Sequence, residues 1–120
     1  MSNHEKINYI EFQVQDVEAT KAFFSQVFGW SYTDYGEAYV AFHGAGLDGG
    51  FYKGEQCSST QNGAALLVFY SEAIDETLAK VEGACGTIIK PIFSFPGGHR
   101  FHFTDPSGNE FAVWSDLDGL

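Results

Sequence analysis

The chain has 120 residues, of which 44% are hydrophobic and 17% aromatic, so it forms one domain, or two small halves with a common core, and can bury that core well. Six Lys and Arg stand against 16 Asp and Glu, a formal net charge of −10. That balance excludes the basic footprint needed by nucleic-acid and anionic-membrane binders, and it suits a cationic ligand as well as a merely solvated surface.

The first six residues, Met1 to Lys6, hold no apolar signal core, and no apolar run approaches the roughly 18 residues of a membrane span. The two cysteines, Cys57 and Cys85, form no C-x-x-C motif. The expectation is a reduced, cytoplasmic protein. From Ile7 to Val14 the residues alternate, with Ile10, Phe12 and Val14 on one side and Tyr9, Glu11 and Gln13 on the other. That is a half-buried strand. Asp16 is placed to cap a helix over 17–28. Its face carries Ala19, Phe23 and Val27, flanked by Ala22, Phe24 and Phe28, and Gly29 stops it. Short strands follow near 30–34, 38–43 and 47–52, among Gly36, Gly44, Gly46 and Gly49. The run Gly44 to Gly50 is rich in glycine but fits no phosphate-binding motif, and it reads as tight turns.

Residues 53–63 are polar and turn-rich, and read as a linker. Ala64 to Tyr70 is an apolar strand. Ile74, Leu78, Val81 and Cys85 form a helical face, and Gly86 ends it. Strands near 86–93, 99–104 and 109–115 are separated by Pro96-Gly97-Gly98 and by the turn Asp105-Pro106-Ser107-Gly108-Asn109. The last residues, 116–120, read as frayed. The two helix-stop glycines lie 57 residues apart (86 − 29). At that offset Phe12 matches Phe69, Val17 matches Ile74 and Thr20 matches Thr77, so the second half repeats the first.

A duplicated strand–helix–three-strand unit with Phe103-Thr104-Asp105-Pro106-Ser107-Gly108-Asn109 near its end resembles the vicinal oxygen chelate superfamily. That is the group of glyoxalase I, bleomycin-resistance, fosfomycin-resistance and extradiol dioxygenase proteins. The segments Ile7 to Asp16 and Ala22 to Trp30 add to the resemblance. It implies an α+β fold within a single domain, 1–120. Two βαβββ modules, 7–52 and 64–115, would form a cup-shaped, partly open β-barrel, with helices outside and a ligand cavity inside. It also implies a homodimer.

Metal-using members of that family hold a divalent ion with His and Glu on central strands. The resemblance puts the first ligand five residues before Val14, which is Tyr9 here, and the last at the third position after Gly108-Asn109, which is Ala112. The second-module counterpart falls in the apolar stretch 64–66, and Gly49-Gly50-Phe51-Tyr52 offers no carboxylate. The usual metal site is therefore not expected, and no cofactor is. If the Phe side of each sheet packs on the helices, the cavity receives Tyr9, Glu11, Gln13, Arg100, His102, Glu110 and Trp114. Among these, His102 with Glu11 or Glu110 could hold a displaced metal or form a general acid–base pair. The plainer alternative is that Arg100 pairs with Glu110 and that Trp114 merely packs. His4, His43 and His99 sit at mobile or edge positions. Two functions follow as expectations. One is a metal-free protein that binds a small molecule in its cup, as bleomycin-resistance proteins do with a cationic drug. The other is a metal-dependent lyase or isomerase related to lactoylglutathione lyase that uses Glu11 and His102.

Overall fold

The computed structural model describes residues 3–116, so the frayed end expected at 116–120 lies, apart from Asp116, outside the described residues. The elements are β1 (Tyr9–Val14), α1 (Val17–Phe28), β2 (Ser31–Asp34), β3 (Tyr39–His43), β4 (Asp48–Lys53), β5 (Leu67–Tyr70), α2 (Ile74–Gly83), β6 (Thr87–Phe95), β7 (Gly98–Thr104) and β8 (Glu110–Ser115), with a 3₁₀ turn at Thr60–Asn62 between β4 and β5. Two four-stranded sheets result, ordered β1-β4-β3-β2 and β5-β8-β7-β6. In each, the first strand runs parallel to the last, β1 to β4 and β5 to β8, and the other pairs are antiparallel. The two modules thus share one plan, α+β, and the sheets do not close into a barrel.

Alternation in β1 sends Phe12 and Val14 into the core, while Tyr9 and Glu11 stay exposed. The same alternation puts Phe101 and Phe103 of β7 and Phe111 and Val113 of β8 on the helix side. The two halves meet there through rings. Phe12 lies edge-on to Phe111 at 5.6 Å, Phe23 lies 5.9 Å from Phe103, and Phe28 stacks on Phe69 at 4.0 Å. One aromatic core therefore serves both sheets, and eight of the twelve Phe are buried in it.

The repeat is visible in detail. Thr20 and Thr77 are both buried, and each hydroxyl donates to the carbonyl four residues back, of Asp16 and Ala73. Asp16 caps α1 by accepting the Ala19 N–H at 3.0 Å. In α2 the cap is Ala73, which has no side chain to offer, and the Ser71 hydroxyl takes over by accepting the Ala73 N–H. On α1 Thr20 is buried and Ala22 is exposed, because Phe23, Phe24 and Val27 turn the stripe toward both sheets.

Three of the boundaries that differ from the sequence reading show their cause. β1 begins at Tyr9, since Ile7 is 83% exposed and has no strand beside it. β5 begins at Leu67, because the Ala64 N–H turns back to the Ser59 carbonyl. α2 ends at Gly83, and the left-handed residue is Cys85 (φ +74°), not Gly86. The Cys85 and Gly86 N–H groups return to the carbonyls of Glu82 and Val81, the double closure of a Schellman motif. Cys85 is exposed as a result, and the half-turn is completed inward by buried Ala84. Gly86 serves a different need. A Cβ there would lie 2.6 Å from a Val81 methyl and 2.8 Å from the Phe23 ring.

Candidate ligand site on the open face of the sheets

With the buried phenylalanines committed to the helix side, the opposite face carries the other set, joined by Phe93 and Phe95 of β6. Tyr9, Glu11 and Gln13 of β1 register with Asp48, Gly50 and Tyr52 of β4, and Tyr39 and Ala41 of β3 follow across the sheet. On the second sheet Val68 and Tyr70 of β5 lie beside Ala112 and Trp114 of β8, then His102 and Arg100 of β7. Strand register puts Tyr9, Glu11, Gln13, Arg100, His102, Glu110 and Trp114 on these faces. Four tyrosines share the same faces, Tyr9, Tyr39, Tyr52 and Tyr70, where the core contains phenylalanine. Their hydroxyls need partners that a core cannot supply.

In the first module a short hydrogen-bonded chain forms. The Tyr9 and Tyr39 hydroxyls are 2.6 Å apart, and the Tyr39 hydroxyl donates to Glu11 Oε2 at 2.9 Å. Gly50 makes this possible, because a Cβ at that position would overlap the Tyr39 hydroxyl. Its neighbour Gly49 does the same on the other face, where a Cβ would overlap the Phe42 ring. These two glycines therefore permit close approach, whereas Gly44 and Gly46, at φ +90° and +91°, make the turns. Burial, with the bonds to Tyr9 and Glu11 behind it, holds the Tyr39 phenol well above its ordinary range. Tyr39 is a proton donor to Glu11 at any physiological pH. The Gln13 side chain is turned toward the connection, and its Oε1 accepts the Gln56 N–H at 2.9 Å.

In the second module Glu110 and His102 form a buried pair, Oε2 to Nδ1 at 2.9 Å, with only 4% and 7% of their side chains exposed. The other carboxylate oxygen accepts both the backbone N–H (2.8 Å) and the hydroxyl (2.9 Å) of Thr60. Desolvation raises the Glu110 carboxyl, but the Thr60 amide, His102 and the Thr60 hydroxyl together outweigh it and hold the group below its usual range. Glu110 is thus ionised and fully bonded. It does not pair with Arg100, whose guanidinium lies over the Phe95 ring at 5.8 Å. Trp114 is half-buried, edge-on to Tyr70 at 5.3 Å and near Phe95 at 6.3 Å.

Ala112 is fully buried between Val68 on one strand and His102 on the other. Glu11 is on β1, and its hydrogen-bond partner among the described residues is Tyr39. Among the described residues no three His, Cys, Asp or Glu side chains converge as a metal would need. His99 and His43 are off this cluster: His43, at the end of β3, bonds Thr33 of the edge strand β2 at 2.9 Å. A cavity of about 110 Å³ lies at the seam between the sheets, bounded by Glu11, Ser58, Ala65, Leu67, Asn109 and Glu110 among others.

The residues that sequence reasoning did not single out are Tyr39, Tyr52, Gly50 and Thr60. Tyr39 was legible in principle from the alternation Tyr39-Val40-Ala41-Phe42. Thr60 was not, since only the fold brings the linker onto β8.

The Asp105–Asn109 turn positions all of this. Asp105 Oδ1 accepts the N–H groups of Ser107 and Asn109, and Gly108 takes the left-handed conformation at φ +91°. Burial raises the Asp105 carboxyl above its ordinary value, with the Asn109 side chain and the turn's amides pulling it back. Asn109 is wholly buried. It donates to the Gln13 carbonyl at 2.7 Å and accepts the Ser58 N–H at 2.8 Å. Ser107 accepts the Gln15 N–H at 2.9 Å. One turn thus ties β1, the linker and β8 together.

The comparisons with known proteins agree with this fold. Residues 6–113 match the family model described as the glyoxalase/bleomycin resistance protein/dioxygenase superfamily. A search among curated proteins found no match. Similar solved structures include a glyoxalase/bleomycin resistance protein/dioxygenase family enzyme from Burkholderia phytofirmans, with a TM-score of 0.77 and 20% identity, covering 92% of this chain and 98% of that one. A fosfomycin resistance protein from Listeria monocytogenes has a TM-score of 0.76 and 22% identity, covering 92% and 93%. A lactoylglutathione lyase from Agrobacterium tumefaciens has a TM-score of 0.70 and 18% identity, covering 99% and 100%. At these identities the structures speak to the fold alone. With a family model matched over nearly its whole length, this chain belongs to the glyoxalase/bleomycin resistance protein/dioxygenase superfamily.

Proposed function

We propose that the protein binds a small organic molecule on the open face of its sheets and does so without the family's usual metal. The observation that carries the reading is the set of side chains at the family's ligand positions. Tyr9 is engaged with Tyr39, and Ala112 offers a methyl group where a carboxylate would be needed. A divalent ion at that place would lack the N and O donors it requires. What the face does offer is an exposed carboxylate, Glu11, among Tyr9, Tyr39 and Tyr52. Such a patch favours a cationic, partly aromatic ligand, through charge and cation–π attraction. A homodimer in the cytoplasm belongs to the same reading.

The test is metal analysis of protein purified without chelator, before and after incubation with Mn, Fe, Ni and Zn salts, together with calorimetric titration of cationic aromatic compounds. The expected outcome is no stoichiometric metal, and binding that Glu11→Gln weakens about tenfold, the loss of one charge contact worth ~1.4 kcal/mol. Stoichiometric metal that disappears in Glu11→Ala or His102→Ala would sink the reading and favour a lyase or isomerase.

A further inference from the structure

The Glu110–His102 pair fixes more than a position. Thr60 donates twice to Glu110 Oε1, so the free carboxylate oxygen, Oε2, faces the ring. A carboxylate only accepts, so His102 must carry a proton on Nδ1 when the ring is neutral. The lone pair then resides on Nε2. Among the described residues nothing bonds Nε2, and it is not one of the side-chain nitrogens enclosed without a partner. The neighbours of the ring are the Phe93 ring, inclined to it by 29° at 6.0 Å, Lys90 opposite on β6 and Ala112 opposite on β8. The methyl group of Ala112 is small and apolar, and it does not compete for the lone pair.

We propose that His102 Nε2 is the proton acceptor of the open face, for a small molecule that brings an O–H or N–H group to it. Glu110 is the positioning residue, and Thr60 holds Glu110. When the ligand's donor is acidic enough, its proton passes to Nε2 and the bonding pair stays on the ligand oxygen or nitrogen. The imidazolium that forms has both nitrogens protonated, and Glu110 balances its charge. The assignment of a ligand class rests on the reading that this face binds a small molecule; the state of the ring does not.

Long-range proton–nitrogen NMR of protein labelled at histidine, free of ligand and in mildly alkaline solution, reads the tautomer directly. The expected result is Nδ1 protonated and Nε2 bare in His102. A proton on Nε2 overturns the proposal, and the wild-type protein alone decides this. Glu110→Gln provides the second reading. Thr60's two donors claim the amide oxygen, so the NH₂ group faces Nδ1 and the two nitrogen resonances exchange places. An unchanged tautomer in folded Glu110→Gln removes Glu110 from the positioning role. Titration with phenol against its methyl ether, anisole, tests the ligand class. A shift of Nε2 with phenol only supports it, and an equal response or none to both overturns it. Failure of the tautomer leaves the ligand-binding reading standing. An absence of binding by any compound leaves the tautomer standing.

Discussion

Asn109 does the work of three residues. Its side chain, itself wholly buried, bonds Gln13 of β1, Asp105 of its own turn and Ser58 of the connection. Replacing it by Ala leaves the Gln13 carbonyl and the Ser58 N–H without their partner, at about 1–3 kcal/mol each. Asn109→Ala is therefore expected to destabilise the protein by about 3 kcal/mol and to lower its melting temperature by roughly 10 °C. Calorimetry checks this, and a loss within the scatter of surface mutants would show that the turn is not the clamp between modules. Asp105 and Glu110 show how the same residue type responds to its surroundings. Both are buried carboxyls on one short segment. Asp105 is pushed up, since burial outweighs its bonds, whereas Glu110 is held down by Thr60 and His102. Linkage gives these opposite signs. Asp105 makes the fold less stable as pH rises from its unfolded value to its higher folded one. Glu110 contributes stability above its unfolded value that is lost as pH falls through its lower folded one.

At the scale of elements, the end of α2 separates two uses of neighbouring positions. Cys85 holds a left-handed backbone that costs a non-glycine residue about 1–2 kcal/mol, of which glycine's greater freedom in the unfolded chain gives back about 0.4–1. Cys85→Gly is thus expected to stabilise the protein by about 0.5–1 kcal/mol. Gly86→Ala, one residue on, forces a methyl group into Val81 and Phe23 and is expected to destabilise it by about 1–3 kcal/mol. Denaturant midpoints of the two variants should move in opposite directions. A shared direction would mean that the closure of this helix is misassigned. The sequence repeat pointed to Gly86 as the counterpart of Gly29, and it was right about the need for glycine but not about its cause. Gly29 is left-handed at φ +75°, whereas Gly86 is crowded. Strands and helices themselves were legible because their periods differ. Phe12 and Val14 alternate, while Phe23 and Val27 recur at four. The ends of β1 and β5 were not legible, because pairing stops where the partner strand stops, and Ile7 has none.

At the scale of the molecule, the charge of −10 acts on everything at once. Only two ion pairs with lysine occur among the described residues, both of Lys21, with Glu18 and Asp34. The acidic side chains therefore repel one another in the folded state, and added salt should screen them. Raising sodium chloride from about 0.01 to about 0.3 M shortens the screening distance from roughly 30 to 6 Å and is expected to raise the melting temperature by a few degrees. A fall would show that specific ion pairs outweigh the repulsion.

The sequence by itself determined the two modules and which side chains fall together on one side of each strand, because alternation and helical spacing are local; that the phenylalanine side faces the helices was decided by the fold. Only the tertiary structure decided what those side chains touch. The sequence left Glu110 two partners, His102 and Arg100, and it is bonded to His102 and to Thr60, fifty residues away in the chain. The segment read as a linker is stitched to β1 and β8 through Gln56, Ser58 and Thr60. A hydrogen-bond partner is chosen by proximity in the folded chain, and no local pattern in the sequence records it.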